Sequence, residues 1–284
     1  MSVFVWVQKT LPKKIMTECA GWLAQRRWPL LKNALIRLFR RAYAVDLAEA
    51  VVEDPSEYDS FNDFFTRALK PSARPICAGH TAIASPADGV VSTWGSAEGG
   101  ALIQAKGIYY GIDELVASSR SASSFESGTF MTIYLSPRDY HRVHVPIAAE
   151  LIDVTYVPGQ LFSVNDQTAR SLDGLFTRNE RIVATFRTPA FEYALVMVGA
   201  MIVGGMATCS TGVIARQAAG NALPLNAKRA YEKGEEFGQF HLGSTVVLVF
   251  PAQAGVVFNS GLTENNKIKM GESVGQLGSD KPLI

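Results

Sequence analysis

The sequence predicts an α+β protein, a β-rich domain with a duplicated β motif preceded by N-terminal amphipathic helices. Three observations carry that expectation. Between residues 10 and 45, apolar residues recur at helical spacing among many basic ones. From Ala82 onward the texture changes to short β-branched runs punctuated by glycine, such as Thr129 to Leu135, Arg181 to Phe186 and Thr245 to Phe250. Finally, Gly234-Glu-Glu-Phe-Gly-Gln-Phe240 returns as Gly271-Glu-Ser-Val-Gly-Gln-Leu277, as two related turn-strand units would. The expected division is a helical region over residues 1–79 and a β-rich domain over residues 80–284.

Residues 10–45 read as two helices separated at Trp28-Pro29, because proline disfavours helix just before it and tolerates the first turn of a new one. In the second helix Leu31, Leu35, Leu38 and Ala42 form a stripe, with Lys32, Arg37, Arg40 and Arg41 mostly off it. From Lys9 to Arg41 nine basic residues stand against one acid, Glu18, a local charge of +8 in a chain of net charge +1. Such asymmetry points to an anionic partner, membrane or nucleic acid. Trp22 and Trp28 suit a headgroup boundary, which favours a phospholipid membrane. A helix pair packed on its own domain with a solvated basic face is the alternative.

At 284 residues and 48% hydrophobic the chain has ample material for a core. Its three cysteines, Cys19, Cys77 and Cys209, are widely spaced and form no Cys-x-x-Cys, which fits a reducing compartment better than a disulfide framework. The apolar opening Ser2 to Gln8 lacks a positive leader and a cleavage pattern, so a signal peptide is not expected. The longest apolar run, Ala194 to Ala207, is too short to span a bilayer and is broken by glycines, so a strand–turn–strand is expected there. Phe61-Asn-Asp-Phe-Phe-Thr-Arg-Ala-Leu-Lys70 is a short aromatic amphipathic segment whose rings should join the core.

Chemistry concentrates at three places. In Leu242-Gly-Ser-Thr245 a hydroxyl lies one residue from an unshielded glycine carbonyl and opens a strand-like run, so that, given a base, Ser244 can attack Gly243 and cut the chain between them. Gly-Ser alone is a turn signal, and it recurs at Gly95-Ser96 and Gly278-Ser279. His141-Arg-Val-His144 supplies the imidazoles, and four readings of it stay open: zinc ligands of a hydrolase, a phosphocarrier site, satisfied core residues, or catalytic bases. Zinc is disfavoured because Val143 and Pro146 fit helix poorly and no third ligand is sensibly spaced. Asp88, in Ser85-Pro-Ala-Asp-Gly89, is either a plain Asp-Gly turn or the carboxylate that orients a base histidine. A non-catalytic membrane or carrier module is the remaining competitor, and it would leave the chain uncut.

These segments together resemble the bacterial phosphatidylserine decarboxylase proenzymes. The resemblance runs through Phe61 to Pro71, Ser85 to Gly89, Leu135-Ser-Pro-Arg-Asp-Tyr-His-Arg-Val-His-Val-Pro146, Pro158-Gly-Gln-Leu-Phe-Ser-Val-Asn165 and Leu242 to Thr245, in order. It implies a self-cleavage triad of Asp88, His144 and Ser244, with His141 serving decarboxylation, and no metal. Leu161, Phe162, Ser163 and Asn165 would belong to a substrate-facing wall, and His241 has no role in the resemblance. Cleavage would give a large chain 1–243 and a small chain 244–284 capped by a pyruvoyl group made from Ser244. That group would act as the electron sink while phosphatidylserine loses carbon dioxide to become phosphatidylethanolamine. The resemblance further implies a homodimer, peripheral on the cytoplasmic face of the cell membrane, with no nucleic-acid partner.

Overall fold

The computed structural model describes the chain apart from residues 1–5, 7, 9, 106, 118–122, 202–204, 215–221, 226–227, 242–243 and 279–284. Helix α1 spans Lys13–Ala24 and α2 spans Pro29–Tyr43, with Pro29 at the first helical position. α2 ends at Ala44 in the left-handed conformation, and Arg40 and Arg41 in its last turn complement the helix dipole. The short α3, Phe61–Phe65, begins where Ser60 Oγ accepts the backbone N–H of Asp63 at 3.1 Å.

The face that α2 buries is not the stripe the leucine spacing predicts. Lys32 and Ile36 are buried and Leu35 and Phe39 pack beside them, while Leu38 is 68% exposed and Leu30 is 90% exposed. Burying Lys32 is possible because its ammonium donates to the carbonyls of Ser56, at 2.7 Å, and Tyr58, at 2.5 Å. Around Ile36 a small core gathers Val45, Leu47, Tyr58, Phe61, Phe64 and Phe65. The aromatics of the Phe61–Lys70 segment are core, as expected.

The β-rich body is organised around nine strands: β1 Gly89–Ser96, β2 Thr129–Leu135, β3 Arg142–His144, β4 Ala149–Val157, β5 Arg181–Arg187, β6 Glu192–Gly199, β7 Met206–Thr208, β8 Glu236–Phe240 and β9 Ser244–Phe250. Antiparallel pairing sets β4, β5, β6, β9, β2 and β1 side by side in the largest sheet, extended at its edges by Leu223–Pro224 and Lys267–Ile268. β3 and β8 lie in a second sheet with β7. The apolar run from Ala194 is, as expected, the end of β6 followed by β7.

β9 has core on both faces. Val246, Leu248 and Phe250 enter one hydrophobic cluster, and Val247 and Val249 enter the other. Every residue of this strand is buried, and each such aliphatic side chain contributes about 1.5–3 kcal/mol. The strand therefore cannot slip by one residue without reversing both sets. The duplicated motif is two turn-strand units: Gly234, at φ +82°, precedes β8, and Gly271, at φ +87°, precedes the strand Ser273–Gln276. A Cβ on Gly234 would lie 2.6 Å from Ile76 Cδ1, and one on Gly271 would lie 2.6 Å from the Pro75 carbonyl, so both turns close around the same short segment.

Candidate active site

Ser244 opens β9 between two neighbours, with Leu135 of β2 on one side and Gly199 of β6 on the other. It is buried, and its Oγ has no hydrogen-bond partner among the described residues. Native structures rarely leave a buried hydroxyl bare; the Thr129 and Thr245 hydroxyls share this state among the described residues, but Ser244 is the one of the three that also lines a cavity. Ser244 lines a cavity of about 220 Å³ with Phe39, Tyr43, Phe65, Ser163 and Val164. Gly243, the acyl half of the expected cut, lies outside the described residues.

The two histidines take different environments because the chain around β3 is extended, and residues three apart on a strand face opposite ways. His141 is fully buried against Phe65, with ring centroids 4.1 Å apart, and Phe65 is also a wall of the Ser244 cavity. Its carbonyl accepts the N–H of Phe240, four residues before Ser244. Its Nδ1 lies 2.8 Å from the carbonyl of Asp139, which can only accept, so Nδ1 carries the proton and Nε2 carries the lone pair. That Nε2 is buried and unpartnered among the described residues. Burial pushes the imidazole down to about 3, so it is neutral across the physiological range.

His144 is pinned in the same tautomer, with Nδ1 2.8 Å from the Gly234 carbonyl. Its Nε2 is not bare: the Tyr140 hydroxyl lies 3.0 Å away and donates to it. Burial lowers this imidazole too, partly opposed by the Gly234 hydrogen bond and by the charges of Glu236 and Asp88. The backbone N–H of His144 donates to the carbonyl of Pro86, at 2.8 Å, which brings the Asp88 turn beside β3.

Asp88 is near His144 but occupied elsewhere. Arg74 holds it in a fork, Nε to Oδ1 at 2.8 Å and Nη2 to Oδ2 at 2.5 Å, and the N–H of Met270 donates to Oδ1 at 2.8 Å. Among the described residues no hydrogen bond joins Asp88 to His144, or either histidine to Ser244. Asp88 lines a second cavity, of about 270 Å³, with Arg67, Arg74, Tyr140 and Lys269. The turn Ser136 to Tyr140 divides the two cavities: Pro137 faces the first, and Arg138, Asp139 and Tyr140 face the second. The Asp139 carboxylate closes that turn by accepting from the Ser136 N–H and hydroxyl, both at 2.7 Å. Arg67 clamps it from outside by donating to the Arg138 carbonyl at 2.9 Å.

Of the expected substrate wall, Ser163 lines the Ser244 cavity. Leu161 and Phe162 are buried, Phe162 under the Lys13 ammonium at 4.2 Å. Asn165 caps the following helical turn, its Oδ1 accepting the Thr168 N–H at 3.0 Å. His241 is buried, with Nε2 3.3 Å from Gln239 Nε2. Sequence reading missed Arg74, Arg67 and Tyr140. Tyr140 sits inside the histidine motif and was legible in principle, since a phenol beside two imidazoles is a natural partner. Arg74 carries no local signal.

A family model described as phosphatidylserine decarboxylase matches residues 61–276, and a second, described as PSD, matches residues 3–44. The chain is 44% identical over 286 residues to the phosphatidylserine decarboxylase proenzyme of Azotobacter vinelandii, covering 96% of this chain and 98% of that protein. It is 45% identical over 271 residues to the proenzyme of the same description from Delftia acidovorans, covering 94% and 95%. It is 43% identical over 272 residues to that of Psychrobacter arcticus, covering 96% and 98%. With a match of this extent, on top of the five motifs in order, the chain belongs to the phosphatidylserine decarboxylase family.

Proposed function

We propose that this protein is a self-processing decarboxylase that converts phosphatidylserine to phosphatidylethanolamine with a pyruvoyl group made from Ser244. The bare, buried Ser244 Oγ at the mouth of a central strand is the observation that carries the reading. His144, with Asp88 as its electrostatic support, removes the Ser244 hydroxyl proton, and Oγ attacks the Gly243 carbonyl carbon. The C–N bond breaks as the acyl group moves to oxygen and the freed nitrogen takes up the proton. Loss of the Ser244 Cα proton with rupture of Cβ–Oγ then releases chain 1–243 as a carboxylate and leaves a dehydroalanine at residue 244. Tautomerisation and addition of water then release ammonia and leave the ketone.

The cavity beside Ser244 suits that ketone, since Phe39, Phe65 and Val164 give it apolar walls and Ser163 lines it as well. Once formed, the pyruvoyl group supplies an electron sink for the departing carboxylate. His141 handles the proton. A neutral imidazole with a free Nε2 cannot begin as an acid, so it first takes the proton that the substrate's ammonium must shed. It then returns this proton to the carbon that carbon dioxide leaves. Exposed Trp22, Trp28, Leu30 and Leu38, together with the basic residues of α1 and α2, support peripheral docking on a phospholipid membrane. No helix among the described residues is long and apolar enough to cross one. Homodimer assembly and the cytoplasmic face are carried by the family resemblance.

The test is decarboxylation of detergent-dispersed phosphatidylserine, followed as carbon dioxide release. Wild-type protein should be active and be inactivated by hydroxylamine, which captures ketones. His141→Ala should still cut itself and release no carbon dioxide. Activity that survives hydroxylamine would reject the pyruvoyl reading.

A further inference from the structure

Beneath α2, on a different side from the reaction cavity, lies a second kind of pocket. It has a volume of about 450 Å³ and is lined by Asn33, Arg37, Arg40 and Arg41 together with the loop Asp54-Pro55-Ser56. Among the described residues, none of these three arginines has a carboxylate partner; Arg40 Nε reaches only the Val45 carbonyl, at 3.5 Å. The one acid of the lining, Asp54, is occupied by the N–H and hydroxyl of Ser56, both at 2.8 Å. Lys32 sits under the same loop, bonded to the Ser56 carbonyl. Three arginines therefore line a space with one carboxylate, and Lys32 lies behind the loop with its ammonium on the carbonyls of Ser56 and Tyr58. Three guanidinium forks around a cavity match the geometry of a phosphate group.

What stands beside the pocket narrows the source of that phosphate. At 100° per residue, Leu30 and Leu38 project from α2 next to Arg37 and Arg41, and they are 90% and 68% exposed. An apolar flank beside unpaired arginines suits a ligand with a phosphate at one end and acyl chains at the other. The far side of the same helix carries Phe39 and Tyr43 into the Ser244 cavity. A lipid held at the arginines would fix how that cavity meets the bilayer.

We propose that the pocket formed by Arg37, Arg40 and Arg41 binds the phosphate of an anionic phospholipid that is not itself the molecule being decarboxylated. This rests on the membrane-docking part of the function proposed above. The experiment is sedimentation with phosphatidylcholine vesicles, with and without phosphatidylglycerol. It compares wild type, Arg37→Gln/Arg40→Gln, and the control pair Arg26→Gln/Arg27→Gln, which removes the same charge outside the pocket.

A diffuse basic surface gives both pairs the same loss, because each lost cation weakens binding about fivefold wherever it sits. A built pocket makes the Arg37/Arg40 pair weaker than the control by a further factor of about ten. Equal losses overturn the proposal. Far-UV melting checks that the variants fold, and the exposed Arg41→Gln serves should the pair not fold. If inorganic phosphate raises the wild-type melting midpoint while vesicle binding is unaffected by the pocket pair, the site takes soluble phosphate and the lipid assignment is wrong. Wild-type protein that ignores both vesicles ends the membrane-docking reading itself, whereas its activity on detergent-dispersed substrate is measured separately.

Discussion

A neutral imidazole that donates through Nδ1 has one site left, and what meets Nε2 decides what it can do next. At His144 that site holds the Tyr140 hydroxyl, and at His141 it holds nothing among the described residues. For His144 to take the Ser244 proton, the Tyr140 hydrogen bond must first break. Such a bond is worth about 1 kcal/mol. Tyr140→Phe should therefore speed self-cleavage about fivefold, followed as the disappearance of full-length chain on a denaturing gel; a slower cut would make Tyr140 part of the productive geometry. Burial at His141 has a separate consequence. Its folded value of about 3 lies below the ordinary 6.5, so the unfolded chain binds the extra proton and stability falls as pH drops from about 6.5 towards 3. Replacing it as His141→Gln should flatten the fall by about 1.4 kcal/mol per pH unit, read from urea unfolding between pH 6 and pH 4 as round settings. An unchanged slope would mean that His141 is charged in the folded protein.

At the scale of elements, the proposed cut would fall at the edge of the strand least able to leave. β9 lies between β2 and β6 with every side chain buried, and the strand Lys267–Ile268 further along pairs with β1. Breaking the bond before Ser244 severs the chain without releasing the sheet. The fragments 1–243 and 244–284 should co-elute under native conditions and separate only in denaturant. The Asp88 turn is held as firmly, by Arg74, whose side chain is 7% exposed. Arg74→Met leaves a buried carboxylate without its cation and should cost about 3–5 kcal/mol in chemical denaturation. A loss under 1 kcal/mol would mean that water reaches Asp88 freely. Sequence pattern made β9 and the glycine-led turns legible, because both are written in consecutive residues. It did not reveal the face of α2, since a lysine becomes a core residue only when distant carbonyls at Ser56 and Tyr58 receive it. Nor did it reveal Arg74 on Asp88, a pairing made by the fold alone.

Across the whole molecule, the two cavities, the turn between them and α2 form one arrangement: a helix with exposed leucines on one side and Phe39 and Tyr43 on the other, a largely apolar cavity at Ser244 and a charged cavity at Asp88. The candidate residues were readable as a set because their motifs come in order along the chain. The separation of Ser244 and Asp88 into two cavities was not, since it depends on where the fold sets the turn Ser136 to Tyr140. The central claim is that Ser244 becomes the reactive ketone by cutting its own chain. Intact-mass measurement of the purified protein under denaturing conditions tests it most directly. The account predicts two species, 1–243 and 244–284, the smaller carrying a pyruvoyl mass with no free amine at its start, and a single uncut species for Ser244→Ala. A full-length wild-type chain with an unaltered serine that still decarboxylates phosphatidylserine would contradict it.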